Sequence, residues 1–538
     1  MAQPAEARPL HHKADNGMSL IGKFASVGGA TMASRVLGFV REAMIAAFLG
    51  AGPVADAFYA AFRFPNLFRR LFAEGAFNAA FVPLFAKEIE GGGQIAAQKF
   101  AQQVLAVLLL ALFVISALAM IFMPFLVGTV IAPKFASDPE KFDLTVLLAR
   151  IMFPYLAAMS LVAMLAGILN SLRRYFLAAL APVLLNVVLV ASLVACGYLD
   201  LAAPDIGKVM GWSVTLSGLL QLGLLVWALR REEFSLGFVR PRLTPAVKRL
   251  LWLALPAAIT GGITQINLLV GQIIASAQDG AIAIINYADR LNQLPLGVIG
   301  IAIGVVLLPE LSRALRAGDM KDAQHLQNRS LEFGMAITVP AAFGLALLPE
   351  PIIALVFERG AFTRETTLVT SQVLAAFSIG LPAFVLMKIF TPVFYAREDM
   401  RTPLWASALS VVINIAGSLL LFPRMGVMGL AIATSLAGWF SALYLGQQLL
   451  SRDLFRPAAI TIRRILLIVA GSALMGALLW WVEATFPQLL LDASLLVRLV
   501  SVLLTVAAGA AVYFSFAFAT GALDRREFAR LLKRRKKP

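Results

Sequence analysis

Cysteine and histidine are scarce in this chain of 538 residues, which has one of the first and three of the second. The single cysteine, Cys196, lies inside an apolar run, so a disulfide framework within the chain and a cysteine-based metal site are excluded. Two of the three histidines are adjacent, in "LHHKADNG" near the N-terminus, which leaves little for a histidine metal site. No GxxxxGK[ST] phosphate-binding loop occurs. We therefore expect no metal, no cofactor and no nucleotide hydrolysis.

Charge is the second shortage, since Asp, Glu, Lys and Arg make up 14% of the residues, whereas 60% are hydrophobic. A soluble domain is about half apolar and about a quarter charged. Apolar runs of roughly 20 residues, each long enough to cross a ~30 Å hydrocarbon core, recur from residue 20 to residue 520. The sequence predicts an all-α polytopic membrane protein.

Fourteen transmembrane helices are predicted from these runs. They lie near 20–49, 56–86, 100–132, 143–169, 176–198, 206–229, 247–277, 281–312, 328–357, 367–396, 402–422, 427–450, 462–483 and 496–520. Residues 1–17 are polar and without pattern, and we interpret them as a disordered tail or a stretch foreign to the native chain.

Lysine and arginine indicate the orientation of these spans. The even-numbered loops and the C-terminus hold about four times as many of them as the odd-numbered loops. By the positive-inside rule, both termini face the cytoplasm. This distribution also accounts for the net charge of +16, because basic clusters such as "RPRLTPAVKRL" border spans on the inner side. We interpret them as topology signals facing anionic lipid, not as nucleic-acid contacts.

An internal repeat is visible at a spacing of about 227 residues. "FYAAFR", ending in Arg63, matches "INYADR", ending in Arg290, and "MPFLVGTVIAPKF" matches "EPIIALVFERGAF". "LLNVVLV" around Asn186 resembles "VINIAGS" around Asn414, one residue out of step. The pattern predicts two parallel six-helix lobes related by a pseudo-twofold axis, followed by a C-terminal helix pair, an arrangement typical of secondary transporters. The predicted boundaries are 1–17 for the tail, 18–230 and 231–455 for the lobes, and 456–538 for spans 13 and 14 with a basic cytoplasmic tail.

Charged residues inside the spans are the candidate site, because such residues usually face a bundle interior or a water-filled cavity. Ser34, Gly38 and Arg41 share one face of an ideal helix, while Arg35 and Glu42 lie about 100° from it. In span 2, Arg63, Asn66, Arg70 and Glu74 form a stripe and Arg69 falls off it, although a break predicted at Pro65 makes these angles unsafe. Asp56, Asp289 and Arg290 complete the group.

Two readings of this group stay open. Glu42, Glu74, Asp289 and Arg70 could be internal ion pairs that hold the bundle together. The arginine surplus favours an anionic ligand instead, and arginine rather than lysine suggests a phosphate or carboxylate that accepts bidentate bonds. Lys388, in "LMKIFTPVFYARED", is a further candidate for a cavity lining.

The stretch "ASRVLGFVREAMIAAFLG", continued through "RRLFAEGAFNAAFVP", closely resembles the MurJ (MviN) family of lipid II flippases in bacterial cell-wall synthesis. The resemblance also covers "ILNSLRRYFLAALAPVLLN", "NYADRLNQLPLGVIGIAIGVVLLPELS" and "FYAREDMRTP". That family belongs to the multidrug/oligosaccharidyl-lipid/polysaccharide exporter superfamily, whose parallel six-span halves agree with the repeat.

The resemblance implies a cationic cavity and a hydrophobic groove beside spans 13 and 14 for a polyprenyl tail. The family's important arginines fall on Arg35, Arg41, Arg69 and Arg290, and its span-2 aspartate falls on Asp56. Where the span-2 periodicity and the resemblance disagree, over Arg70 and Arg69, we follow the resemblance. Some relatives carry a glutamate where this chain has Gln293, which puts an acidic role there in doubt.

The function this implies is the movement of lipid II, an undecaprenyl-diphosphate-linked disaccharide-peptide, from the inner to the outer leaflet of the bacterial cytoplasmic membrane by alternating access. Its diphosphate would be held by Arg35, Arg41, Arg69 and Arg290, with Ser34, Gly38, Asp56, Arg63, Asn66, Glu74, Asp289 and Lys388 in supporting or gating roles. Peptidoglycan synthesis, cell-wall biogenesis and cell shape would depend on it. The partners would be lipid II, membrane lipids and cell-wall synthesis proteins.

Three alternatives remain open at this point. The chain could export a different polyprenyl-diphosphate-linked glycan or cationic drugs, polymerise glycan on the same lipid, or recruit cell-wall synthesis proteins as a scaffold. A polymerase needs an outer catalytic carboxylate, and the predicted outer loops offer only scattered acids. A drug antiporter would favour an acidic cavity, whereas this one is predicted to be cationic.

Asp56 is interpreted separately from the diphosphate ligands, because its carboxylate would repel phosphate. One hypothesis is a gate at the outer end of span 2, with Arg63 as a candidate partner. The other is a cap at the start of the span-2 helix, a common role for aspartate.

Overall fold

The computed structural model describes residues 20–70, 77–491 and 494–523, and every regular element in these ranges is helical. Glu74, the residues before 20 and the basic tail after 523 lie outside the described residues. The helices are α1 Leu20–Leu49, α2 Pro53–Phe68, α3 Phe77–Ile121, α4 Met123–Leu126, α5 Pro139–Met152, α6 Pro154–Ser171, α7 Tyr175–Tyr198, α8 Ala203–Arg231, α9 Pro245–Ala275, α10 Ala281–Arg316, α11 Met320–Leu347, α12 Pro349–Phe357, α13 Arg364–Tyr395, α14 Arg401–Met425, α15 Val427–Ser451, α16 Ala459–Thr485, α17 Pro487–Leu491 and α18 Leu495–Ala519.

The all-helical membrane fold is confirmed. Ten helical segments in the described ranges are long and apolar enough to cross a membrane. Within the described residues, each predicted span overlaps at least one helix, but the count of fourteen stays a prediction. Large apolar side chains such as Trp480, Trp481 and Leu504 are exposed on α16 and α18. A surface of this kind suits lipid, not water.

Prolines and one glycine shape the helices. The break predicted at Pro65 is wrong, because α2 continues through Pro65 to Phe68 and then changes to π-helical geometry at Arg69 and Arg70. A π turn holds more residues than an α turn, so the ideal 100° step does not apply at Arg69 and Arg70. Inside α3, Gly93 adopts a positive φ of 69°, where a residue with a side chain would be strained, and the helix kinks there.

Contacts divide the chain into two compact units, Met1–Ser276 and Ala277–Pro538. This division follows packing, whereas the lobe boundary predicted at 230/231 follows sequence similarity, so the predicted boundary stays a prediction. The difference lies in α9, which packs against α3 within the first unit. We call the two units unit 1 and unit 2.

The packing within each unit repeats. In unit 1, α2 packs on α5, α3 on α6, α6 on α8 and α7 on α8. In unit 2 the corresponding pairs are α10 on α13, α11 on α13, α13 on α15 and α14 on α15. The single helix α13 of unit 2 corresponds to two shorter helices of unit 1, α5 and α6, which meet at Pro154. The repeat read from the sequence is therefore also present in the helix pairing.

Candidate functional site

The predicted face of α1 meets a single asparagine of α7. Asn186 Nδ2 donates to the backbone oxygen of Ser34 at 2.9 Å and to its Oγ at 3.3 Å, and Asn186 Oδ1 accepts from Arg41 Nη1 at 2.8 Å. Gly38 lies between them, where a Cβ would be 3.6 Å from Asn186 Nδ2. The structure thus brings Ser34, Gly38 and Arg41 together, as the helical spacing predicts.

Arg41 is buried, with 8% of its surface exposed, and its charge is balanced locally. Its Nη2 lies 2.5 Å from Oε1 of the buried Glu42, whose Oε2 accepts from the Tyr59 hydroxyl at 2.5 Å. Arg41 Nε is buried and has no hydrogen-bond acceptor within the described residues. Glu42 is therefore an internal partner of Arg41, which the ion-pair interpretation allowed, and Tyr59 was missed because an apolar context hides its role.

Arg35 differs from Arg41 although both lie on α1. Its side chain is exposed, and it makes no hydrogen bond or ion pair within the part of the chain that the structure describes. An exposed guanidinium on a helix of this hydropathy is costly to leave facing lipid. Of the arginines on α1, Arg35 is the one whose donors are available to a ligand.

The polar stripe of α2 is half-buried. Arg63 Nη1 donates to the backbone oxygen of Leu268 in α9 at 3.4 Å, and Arg69 Nε donates to Asn66 Oδ1 at 2.9 Å. Arg69 is half-buried, whereas Arg70 is exposed. Arg69 and Asn66 are three residues apart, a spacing at which helical side chains are neighbours.

Asp56 is fully buried in unit 1 and pairs with a residue that the sequence did not single out. Lys141 Nζ, on α5, lies 2.9 Å from Asp56 Oδ2, and 4.1 Å from the centre of the Phe135 ring. Asp56 does not cap α2, because the residue at the N-cap is Gly52 and makes no side-chain cap bond. Lys141 lies in "PEKFD", between the third and fourth predicted spans. The one available signal was Asp138 three residues earlier, which caps α5 and fixes where that helix begins.

In unit 2, Asp289 and Arg290 are half-buried on α10. Asp289 accepts a hydrogen bond from the Gln293 side chain one turn later. Gln293 therefore acts as a neutral donor to a carboxylate. Lys388, on α13, is exposed and its Nζ donates to the backbone oxygen of Leu296 at 3.3 Å.

The arrangement can bind anions. No group of three or more His, Cys, Asp or Glu side chains suited to a metal ion occurs in the described residues. Four candidate arginines of unit 1 differ in exposure. Arg35 is exposed, Arg63 and Arg69 are half-buried, and Arg41 is buried. Guanidinium groups recognise phosphate oxygens through paired N–H donors.

Comparisons with known proteins identify the family of the chain. Residues 45–522 match a family model described as "Lipid II flippase MurJ". A protein of Rhizobium meliloti (strain 1021) named "Probable lipid II flippase MurJ" is 52% identical over 521 residues, covering 96% of this chain and 97% of that protein. A "Lipid II flippase MurJ" of Burkholderia cenocepacia is 33% identical, covering 94% of this chain and 98% of that protein.

Solved structures are similar as well. A structure titled "Lipid II flippase MurJ, inward closed conformation" has a TM-score of 0.73 at 27% identity and covers 91% of this chain and 97% of that one. An inward-facing multidrug resistance MATE transporter of the MOP superfamily has a TM-score of 0.63 at 15% identity, covering 80% of this chain and 98% of that one. The second likeness concerns the fold alone.

Proposed function

The chain belongs to the Lipid II flippase MurJ family, and from this premise we propose that it moves lipid II from the inner to the outer leaflet of the bacterial cytoplasmic membrane by alternating access. It is a transporter by family, and its part in the cell is peptidoglycan biosynthesis. Both termini are proposed to be cytoplasmic. Cell-wall synthesis proteins are proposed as partners on the family resemblance alone.

One observation carries the assignment of ligands. Arg35 is an exposed guanidinium without a partner among the described residues, on an apolar helix that also holds the buried Arg41. A diphosphate supplies the charge and the paired acceptor oxygens that such a group lacks. We propose Arg35 as the direct diphosphate ligand on α1, with Arg69 as a second ligand of unit 1. Arg290 of unit 2 is included for its charge and its match to the family motif alone.

Arg41 requires a different role at the start of the cycle, because its charge is already paired with the Glu42 carboxylate and it also donates to Asn186. We propose that the diphosphate displaces the Glu42 carboxylate and then accepts from Arg41. The displaced carboxylate keeps its bond from the Tyr59 hydroxyl. The exchange keeps the buried guanidinium paired with an anion, at the cost of separating the buried Glu42 carboxylate from its cation.

Binding of lipid II to the purified protein in detergent tests these ligands. Arg35→Ala should weaken binding by ~1.5–3 kcal/mol, the range for hydrogen bonds to charged groups. Arg35→Lys should recover only part of that loss, because the fork geometry is absent. Arg150→Ala, which removes an exposed arginine whose Nε donates to Met120 O, is the matched control and should bind as the wild type does.

Glu42→Gln separates the two roles proposed for Arg41. Removing the competing carboxylate should tighten lipid II binding several-fold if the diphosphate takes its place on Arg41. If Arg41 only holds α1 against α7, Glu42→Gln leaves the affinity unchanged and lowers only the unfolding temperature.

Unchanged affinity in Arg35→Ala, Arg69→Ala and Arg290→Ala together would contradict the ligand assignment.

A further inference from the structure

Unit 2 contains a cavity of about 690 Å³, and none of the proposed diphosphate ligands lines it. It lies where α11 and α16 begin, beside the linker that joins α15 to α16. Its lining includes Gln324, Asn328, Arg329, Glu332, Arg456 and Arg464. The volume is within the range of cavities that hold small molecules, ~300–1,000 Å³.

The linker that walls this cavity is fixed by α11. Gln324 Oε1 accepts from the backbone N–H of Arg456 at 2.8 Å, and Asn328 Oδ1 accepts from the backbone N–H of Ala458 at 2.9 Å. Asn328 Nδ2 also donates to the backbone oxygen of Arg456 at 3.3 Å. Two side chains thus satisfy three backbone groups, so the shape of the cavity is built into the structure.

The charge of the lining is mostly basic. Three arginines, Arg329, Arg456 and Arg464, stand against the carboxylates Glu332 and Asp453, and His325 adds a protonatable ring. On the rim, Arg456 pairs with Asp453, but the two side chains are 76% and 61% exposed. An ion pair with this exposure contributes little to stability, so Arg456 can exchange Asp453 for another partner at a small cost in free energy.

Deeper in the cavity, Arg464 is incompletely satisfied. Its Nη1 lies 2.7 Å from Glu332 Oε2, while Thr461 Oγ1 donates to the other oxygen of Glu332 at 2.5 Å. Arg464 Nε is buried and has no acceptor among the described residues. A modest turn of this side chain would present its Nε edge to the cavity, where a phosphate oxygen is the acceptor that guanidinium geometry fits.

Two exposed apolar side chains also line this basic cavity. Ile460 of α16 is 56% exposed and Met320 of α11 is 47% exposed. A basic recess that carries exposed apolar side chains suits a molecule with a phosphate at one end and acyl chains at the other. The positive-inside distribution predicts that this end of α11 and α16 faces the cytoplasmic leaflet.

We propose that this cavity is a phosphate-binding site, separate from the lipid II ligands, with Arg464 and Arg456 as the main contacts and Arg329 as a third. The phosphate comes from the headgroup of an anionic phospholipid of the cytoplasmic leaflet or from a soluble phosphate ester. When it is bound in the cavity, the phosphate contacts the start of α11, the start of α16 and the linker between α15 and α16, and so joins these three segments.

Binding of dihexanoyl phosphatidylglycerol, kept below its micelle concentration, to the full-length protein in a neutral detergent tests the proposal. The Arg329→Gln/Arg456→Gln double variant should bind about tenfold more weakly or worse. Both side chains are exposed, so this variant is expected to fold, and an unchanged unfolding temperature verifies it. Arg464→Gln should weaken binding further, but it is interpreted only if it folds, because it leaves Glu332 unpaired.

Arg316→Gln is the matched control, since Arg316 is an exposed arginine at the end of α10 that does not line the cavity. It removes one charge and should leave binding unchanged. Equal affinity of the wild type and the double variant would overturn the proposal, and so would an equal loss in Arg316→Gln, which would indicate only a diffuse charge effect.

Competition identifies the source of the phosphate. If glycerol 3-phosphate displaces dihexanoyl phosphatidylglycerol, the cavity accepts soluble phosphate esters. If it does not, while the arginine dependence holds, the acyl chains are required and the ligand is a lipid headgroup. Dihexanoyl phosphatidylcholine should bind more weakly than the glycerol lipid, because its own cation opposes the arginines; equal binding of the two would count against a phosphate site.

Discussion

The carboxylate of Asp56 on α2 and the ammonium group of Lys141 on α5 lie 2.9 Å apart, and the two side chains are 0% and 2% exposed. Removing both charges from water is expensive, and removing only one leaves the other unpaired. The pair therefore fixes the start of α2 against the start of α5. We propose it as the ion pair at the predicted outer end of unit 1, in place of the Arg63 pairing considered from the sequence.

A double-mutant cycle measures this pair. Asp56→Asn and Lys141→Gln should each lower the free energy of unfolding by ~3–5 kcal/mol, because each leaves one buried charge without its partner. The double variant should lose clearly less than the sum of the two. Chemical unfolding in detergent provides the three values. Strictly additive losses would show that the two groups are not coupled.

Two glycines in unit 2 make a matched test of helix packing. A Cβ on Gly429 of α15 would lie 2.7 Å from the backbone carbon of Leu421 in α14, so Gly429→Ala should force the helices apart and cost ~1–3 kcal/mol. A Cβ on Gly344 of α11 would meet nothing within 4 Å, and Gly344→Ala should be neutral or slightly stabilising. Thermal unfolding of both variants compares them. Equal unfolding temperatures would contradict the close α14–α15 contact.

Asp399 lies in the loop between α13 and α14, and we predict that its contribution to stability is lost at acid pH. The pKa of its carboxyl is held below the usual range, mainly by the hydrogen bond that the Thr402 hydroxyl donates at 2.6 Å. Burial opposes this effect and raises the pKa, whereas backbone N–H groups and Arg452 lower it further. A depressed folded-state pKa stabilises the protein above the unfolded-state pKa of ~3.9, and this contribution is lost as pH falls through the lower folded value.

Asp399→Asn should therefore destabilise the protein by roughly 1 kcal/mol at pH 7, and the difference from wild type should shrink as pH drops below ~4. Thr402→Val removes the largest cause and is the control, since it should weaken the same pH dependence while keeping the carboxylate. A difference between Asp399→Asn and wild type that stays constant from pH 7 to pH 3 would contradict the assignment.

Cysteine labelling of intact cells tests the predicted orientation. The background is Cys196→Ala, because the native thiol is buried but would still react on unfolding. Arg240 and Ala203 are both exposed, so cysteines placed there should be equally reactive in lysed cells. A membrane-impermeant reagent should label the cysteine at 203 and spare the one at 240 in intact cells. The reverse pattern would invert the topology.

Patterns that repeat along the chain allowed much of the fold to be predicted. Apolar runs identified the helices, the 227-residue spacing identified the two sets of helix pairs, and the spacing of Ser34, Gly38 and Arg41 identified a face that the structure closes with Asn186. Each of these depends on local periodicity, which the sequence displays directly.

The parts that could not be predicted depend on contacts between distant residues or on local irregularity. Lys141 reaches Asp56 across 85 positions, and no spacing rule relates a loop-edge lysine to a particular carboxylate. The π turn at Arg69 alters the helical phase that the α2 stripe assumed. The cavity around Arg464 joins residues from α11, α16 and the linker before it, which appear in the sequence as separate basic loops.

Transport of labelled lipid II in proteoliposomes tests the central claim most directly. The purified protein is reconstituted with lipid II on the inner leaflet, and its exposure outside is followed with and without a potential negative inside. We predict that lipid II is exposed faster than in protein-free vesicles and that Arg35→Ala abolishes this transport. The potential should increase the rate further, because it favours anion export by ~2.3 kcal/mol per charge per 100 mV if the charge crosses the field. Exposure no faster than in protein-free vesicles, or transport unaffected by Arg35→Ala, would contradict it.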